Sequence, residues 1–501
     1  MGRKGQNKQS KANKPSALLR PKEETIKLSP QKRSELNQIV DKLLKVTSVG
    51  VNSGKIRDNH IIMEKLLNKI ISIESGIIKD SITKKEREVD TITDWMSKNG
   101  AVIDGVEIGE FDGYGFGLKA AKDIKEGDLL ICVPRKLMLT TEFARTSELE
   151  YLCKNDPMLA HMPNIILALF LLLEKVKEDS FWKPYIESLP TTYTTVMYFT
   201  LQELDELKGS PTHEPAMKQC QNVARQYGYL YNLFQNSSDH ASEILKNSFT
   251  YEQYRWAVST VMTRQNFIPA SNPENPMILA LIPYWDMGNH ANAKLTTDYN
   301  VEIDQSEYYS CGEFKAGTQV FMSYGNRPNS DLFLHNGFVH VDNISDGVKL
   351  RLGVSKSDPL VSLKTSLLQK LSIPISAEFL LPSSHYMPHG KFIAFLRIFN
   401  MDKENLETLM NSENLDDLMN TDVDFQPADP KTWLFLSNRI KLLLAAYPTS
   451  REEDENLLKT KLEPCRHLAL LQRVTEKRIL INYLNNMEKA RCISLENSLI
   501  K

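Results

Sequence analysis

The chain has 501 residues, 41% of them hydrophobic and 25% charged, with a formal net charge of −2. That length holds two to three domains with sizeable cores, and the near-zero charge excludes a dedicated nucleic-acid binder, which would be strongly basic. Six cysteines, at 132, 153, 220, 311, 465 and 492, include no CxxC pair, so neither a metal cluster nor a disulfide framework is expected.

The longest apolar run, 165–173, is too short to span a bilayer. Gln6 stands where an N-myristoylation motif needs Ser or Thr. A monomeric protein of the cytoplasm, also present in the nucleus and without a membrane partner, is expected. Residues 1–33 are rich in Lys, Gln and Asn and are expected to form a disordered basic tail, having too little apolar surface to fold. Ile39, Leu43 and Leu44, then Ile62, Leu66, Leu67 and Ile70, recur at helical spacing. They predict helices over 34–49 and 59–78, within an N-terminal flanking unit of 34–94.

From Trp95 the texture changes. A strand is predicted over 102–108. Gly113, Gly115 and Gly117 follow at alternate positions around Tyr114 and Phe116. Such a run serves either a close ligand approach or a β-bulge. It continues into a turn at 123–127 and a strand at 129–133, not a helix, which excludes a dinucleotide fingerprint. Residues 140–260 read as a helical insertion, with helices at 164–175, 217–234 and 251–264. Its Tyr227, Tyr229, Tyr231 and Phe234 read as core.

The apolar run 278–282 ends at Pro283, and Trp285, Asp286, Asn289 and His290 follow. A rigid strand end is where folds place chemistry, although a packed loop histidine fits the same letters. Strands return at 294–299, 307–311 and 319–322, the last running into Ser323-Tyr324-Gly325. A β segment at 349–354 opens a C-terminal region, 339–501. It is read as all-helical, with helices at 363–371, 391–399, 403–419, 432–446 and 452–487, broken near Pro464.

Four pieces in this order carry a resemblance: Gly115-Phe116-Gly117-Leu118, Arg264-Gln265-Asn266, Trp285-Asp286-Met287 with Asn289-His290, and Tyr324-Gly325 followed by Asn336-Gly337-Phe338. Together they resemble the SET-domain methyltransferases, in the branch with a long helical insertion and a Rubisco-methyltransferase-like substrate-binding region. The resemblance implies an α+β fold. A SET domain of small curled β-sheets would span 95–338, with an all-helical substrate-binding domain after it. It implies S-adenosylmethionine as cofactor. Tyr114, Gly115, Phe116, Arg264, Asp286, Met287, Gly288, Asn289, His290 and Asn336 would bind it. Lys85, or Arg87 two residues on, would reach its carboxylate. Tyr324 and Asn266 would be catalytic, Trp285 and Arg327 would hold substrate, and no metal would be needed. Phrases such as 224–231 and 248–257 are similar to members of the branch that methylate histidine. The implied acceptor is the tele nitrogen of a histidine of actin; a lysine acceptor or a non-enzymatic peptide adaptor are the alternatives.

The two acceptors make different demands. A lysine, with an ordinary pKa of about 10.4, must lose a proton before it can attack, whereas an imidazole, about 6.5, is mostly neutral near pH 7. What the imidazole needs is orientation. A short amide such as Asn266 can donate or accept to fix it, although Asn266 also fits as a turn cap before Pro269.

Overall fold

The computed structural model describes residues 28–48, 55–75, 77, 87–272, 276–384, 388–412, 415–419 and 430–500. The tail expected to be disordered lies outside them up to residue 27, and so does Lys85. The chain is helical from Pro30, a residue whose fixed φ suits a first helical turn. Helix Pro30–Ser48 buries Leu36, Ile39, Val40 and Leu43 along one stripe, and helix Ile56–Glu74 buries Met63, Leu67 and Ile70. Both pack on helix His213–Asn236. At the end of the second helix the buried Glu74 carboxyl accepts from the Tyr227 hydroxyl, and from the Tyr251 amide at 2.8 Å. Burial pushes this carboxyl up to about 8, so at neutral pH it sits there as an acid. These flanking helices are thus fastened to the helical insertion.

Strands β1 (Val102–Ile103), β4 (Leu129–Pro134), β10 (Gln305–Tyr309) and β9 (Thr297–Asn300) form one sheet in that spatial order. A second sheet has the order β2 (Val106–Phe111), β3 (Gly115–Ala120), β11 (Gln319–Met322) and β8 (Asn289–His290). A third consists of β5 (Leu139–Thr140), β7 (Met277–Leu281) and β6 (Gln265–Pro269). In the second sheet β2, β3 and β11 are antiparallel, but β8 lies parallel to β11, with Asn289 opposite Phe321 and Met322 opposite His290. That pairing brings the segment after β7 alongside the segment that continues into Tyr324.

The insertion lies between β5 and β6. Its helix Pro163–Val176 is buried on every side from Ile165 to Glu174, as a helix apolar all round must be. Helix Tyr251–Arg264 starts on a Thr250 side-chain cap and delivers the chain directly into β6.

A second apolar core is separate from the first. It joins Val348 and Leu350 with Phe395, Leu436 and Tyr483. The C-terminal region is helical, with the addition of one antiparallel pair, β12 (Gly347–Gly353) and β13 (Ser376–Pro382). The predicted 403–419 helix is instead Lys403–Met410 and a short turn, Asp416–Leu418. No described helix is long and apolar enough to cross a membrane.

A buried charge cluster fastens this region together. The Asp454 carboxylate receives Arg473 and Lys477, and Arg473 also donates to the Glu206 carbonyl of the insertion. All three charged side chains of the cluster are at most 2% exposed. Removing one member of such a group strands the others without water. Asp454→Ala is therefore expected to destabilise by about 3–5 kcal/mol in urea unfolding, and a loss below about 1 kcal/mol would show that the cluster contributes little.

Candidate active site

The site begins with a strained turn. β7 runs through Ile282 to Pro283, and Tyr284 then takes a left-handed backbone, φ 65° and ψ −48°. The Trp285 amide closes a three-residue turn on the Pro283 carbonyl at 2.7 Å. A non-glycine residue in this region carries strain, and strain of this kind clusters at functional sites. The turn buries Tyr284 and leads into the short helical turn Trp285–Met287. Gly288 follows because a Cβ there would lie 2.9 Å from the Met322 sulfur.

Behind the turn, Asp286 and Arg264 hold one another. The Arg264 Nη1 lies 3.0 Å from Asp286 Oδ1 and donates to the Asp286 carbonyl at 2.8 Å. The Tyr185 hydroxyl donates to Asp286 Oδ2 at 2.7 Å. Burial pushes the Asp286 carboxyl up and Arg264 opposes it. Burial acts to lower the guanidinium, but Asp286 together with Tyr193, Tyr185 and Tyr324 outweighs it and holds Arg264 above its ordinary value. Both side chains, expected at the cofactor, are thus engaged with each other; among the described residues the buried Arg264 Nε and Asp286 Oδ1 have no hydrogen-bond partner, Oδ1 meeting Arg264 only as an ion pair.

Arg87 is different. Its guanidinium lies 4.6 Å from the centre of the Phe116 ring. It donates to the Ser188 carbonyl and lies 3.0 Å from the Met287 sulfur. Burial and the nearby Arg264 bring it down to about 10. It meets no carboxylate among the described residues, so a cation stands here ready for an anion.

Around it, Asn289 Nδ2 donates to the Phe116 carbonyl at 3.2 Å, tying β8 to the glycine turn. Gly115 has φ 67° and open space where a Cβ would point, and Tyr114 beside it is exposed. Gly117 has no such space, since a Cβ would lie 2.7 Å from Asn289 Nδ2 and 2.8 Å from Gln319 Nε2. The His290 Nδ1 accepts the Tyr324 amide at 3.1 Å, and its ring packs against Tyr324, Phe338 and His340. Burial brings this imidazole down to about 4. The Tyr324 hydroxyl donates to the Gly288 carbonyl at 2.8 Å, and burial pushes it up to about 12.

On the other side, Asn266 lies on β6, opposite Ala280, not in a turn. Its Nδ2 donates to the Arg264 carbonyl at 3.0 Å, which leaves Oδ1 free to accept. Trp285 is buried with its Nε1 unpartnered. Arg327 donates to Asn336 Oδ1 at 2.7 Å, and Asn336 Nδ2 reaches back to the Thr263 carbonyl at 3.4 Å. Asn336, expected at the cofactor, therefore braces Arg327. It closes a π-helical turn, Leu332–Asn336. Gly337 after it has φ 75° and sits so close to Thr194 that a Cβ would be 2.9 Å from the Thr194 carbonyl carbon. Tyr185 and Thr194 were not singled out from the sequence; nothing in their local pattern separates them from ordinary core and turn residues.

S-adenosylmethionine fits this arrangement by charge and shape. Arg87 forms no ion pair among the described residues and could take a carboxylate, and the open face of Gly115 leaves room beside Phe116 and Asn289.

Small sheets wrapped around a parallel crossing, interrupted by a helical insertion, define a SET domain. The SET domain family model matches residues 115–325, and the Rubisco LSMT substrate-binding model matches 355–480. The fold is also that of solved structures of Rubisco LSMT. One, bound to AdoMet, has a TM-score of 0.64 at 24% identity, covering 80% of this chain and 91% of that one. Another, bound to sinefungin and monomethyllysine, has a TM-score of 0.65 at 24% identity, covering 81% and 92%. The curated actin-histidine N-methyltransferases of Homo sapiens and Mus musculus are each 39% identical over 463 residues, 91% of this chain and 77% of theirs. The chain belongs to the actin-histidine N-methyltransferase family of SET-domain proteins.

Two measurements test the geometry. Gly117→Ala pushes a methyl into Asn289 and is expected to weaken S-adenosylhomocysteine binding by calorimetry about ten-fold or more, a step of about 1.4 kcal/mol, with the circular dichroism unchanged. Unaltered affinity would remove Asn289 from the cofactor side. For His290, the folded value lies below the unfolded one of about 6.5. Its contribution to stability is present above pH 6.5 and is lost as pH falls toward 4. By NMR its ring should still be neutral at pH 5.5; a midpoint above 6 would contradict the packing account.

Proposed function

We propose that this protein transfers the methyl group of S-adenosylmethionine to a ring nitrogen of a histidine of actin. What supports the reading best is the protonation of the groups at the site. None of those placed there is free to act as a base. Tyr324 keeps its proton to about pH 12 and directs it at Gly288. His290 is neutral, but its Nδ1 is occupied by the Tyr324 amide. Asp286 is held by Arg264 and Tyr185. An acceptor that arrives neutral suits such a site, and near pH 7 that is an imidazole rather than an ammonium.

The cofactor supplies an electrophilic methyl on a sulfonium. Arg87 would bind its carboxylate, while Phe116 and Asn289 would position the rest. The Tyr324 oxygen, with its proton on Gly288, turns its lone pairs toward the methyl, where weak C–H···O contacts favour a polarised carbon. The free Asn266 Oδ1 would accept the N–H of the ring nitrogen that does not react. That choice of tautomer leaves the lone pair of the other nitrogen aimed at the methyl. Trp285 would narrow the pocket for a flat ring. As the N–C bond formed, the methyl–sulfur bond would break and leave a neutral thioether, the positive charge would pass to the ring, and the proton on the Asn266-held nitrogen would leave to solvent. Alignment of this kind is worth roughly 7–11 kcal/mol relative to free collision, so the reaction needs little else from the side chains.

Incubation with recombinant actin and labelled cofactor, followed by mass-spectrometric mapping, is expected to place one methyl group on a histidine. Methylation confined to lysine would overturn the reading. Asn266→Phe is expected to lower histidine methylation at least ten-fold and, combined with Trp285→Ala, to raise activity toward lysine. Undiminished histidine activity would show that Asn266 does not orient the ring.

A further inference from the structure

Behind Arg327 lies a fully buried amide that the chemistry above does not use. Asn329 is 0% exposed, and every hydrogen-bonding position of its side chain is occupied. Its Nδ2 donates to Asp346 Oδ2 at 2.8 Å and to the His340 carbonyl at 3.0 Å. Its Oδ1 accepts the His340 amide at 3.0 Å and Asn343 Nδ2 at 3.2 Å. Asn343 Nδ2 in turn donates to the Arg327 carbonyl at 2.8 Å. The other oxygen of Asp346 accepts the backbone amides of Asn329 and Gly347 at 2.9 and 2.8 Å.

The direction of these bonds is set at one point. A carboxylate can only accept, so Asp346 decides which end of the Asn329 amide faces it. The amide's opposite end must then present oxygen to His340 and Asn343. A reversed amide would set donor against donor at the His340 amide and Asn343, and acceptor against acceptor at Asp346 and the His340 carbonyl, in a dry interior where each unmade bond costs about 1–3 kcal/mol. We propose that Asp346, acting through Asn329, is a positioning residue for the acceptor side of the site: it fixes the backbone of Arg327 and of His340, whose ring packs on His290. The inference rests on the functional reading above for what Arg327 holds, but not for the latch itself.

The latch also joins the two halves of the molecule. Asp346 immediately precedes β12, which starts at Gly347. Arg478 of the helix Pro464–Ile500 donates to the Val341 carbonyl at 2.7 Å within the same loop. The placement of Arg327 is thereby tied to the docking of the C-terminal region.

The test uses the full chain. Asp346→Asn keeps the shape and puts a donor where an acceptor must be. It is expected to raise KM for actin about ten-fold, with kcat and S-adenosylhomocysteine affinity within two-fold of the wild type. Hydrogen exchange over residues 324–346 should quicken. Asn343→Ala, which leaves Asp346 and Asn329 in place and removes the bond to the Arg327 carbonyl, should raise KM for actin in the same direction by a smaller factor. An unchanged KM with unchanged exchange would overturn the proposal, and so would an equal loss of cofactor affinity. If Asp346→Asn fails to fold, Asn343→Ala decides: a raised KM with quickened exchange supports the latch, and unchanged values refute it. Absence of methyl transfer by the wild type would count against the functional reading, and the exchange measurement would still decide the latch.

Discussion

The site depends on a buried ion pair. Arg264, at the end of a helix, and Asp286, in the turn after β7, are brought together by the antiparallel pairing of β6 with β7 and sealed by Tyr185. Inside a protein each charge needs the other, since a lone one would face a desolvation penalty of several kcal/mol. The pair fixes where β6 starts, and so where Asn266 stands, and it fixes the turn that carries Trp285. It also sets the local charge. Arg87 and Arg264 are two cations near one anion, Asp286, so the buried group carries one net positive charge.

Much of the frame could be read from the sequence because it is periodic. The helix Tyr251–Arg264 and the strand Gln319–Met322 have the predicted bounds. What escaped is what pairing creates. β8 is two residues long and has no period of its own; it is a strand only because Phe321 and Met322 lie beside it. β13 follows a proline and sits among helices, and β12 makes it a strand. The same holds at the site. Letter patterns drew attention to Asn266, Asn289 and Tyr324, but not to the partner each one would find. Asn336 turned to Arg327 and Arg264 to Asp286, because a buried polar group satisfies itself with whatever the fold brings within reach.

The helix Pro464–Ile500 contributes Ala469 and Leu468 to the first apolar core and Ile479 and Tyr483 to the second, and polar bonds lock the two together. Arg473 reaches the Glu206 carbonyl, Thr212 donates to Glu476, and Arg478 holds Val341. Directional bonds in a dry setting tolerate little sliding. A C-terminal region joined in this way cannot shift without disturbing the loop that bears Arg327.

The left-handed Tyr284 carries a further consequence. Its backbone costs about 1–3 kcal/mol relative to an ordinary conformation, and it is this reversal that turns the Tyr284 ring into the core. Strain and packing meet on one residue: a glycine at 284 would relieve the backbone angle but empty the core position that the Tyr284 ring fills, a loss of about 3–5 kcal/mol that outweighs the relief. The turn is kept by the side chain it buries, and the course of the chain into Trp285–Met287 is inherited from core packing.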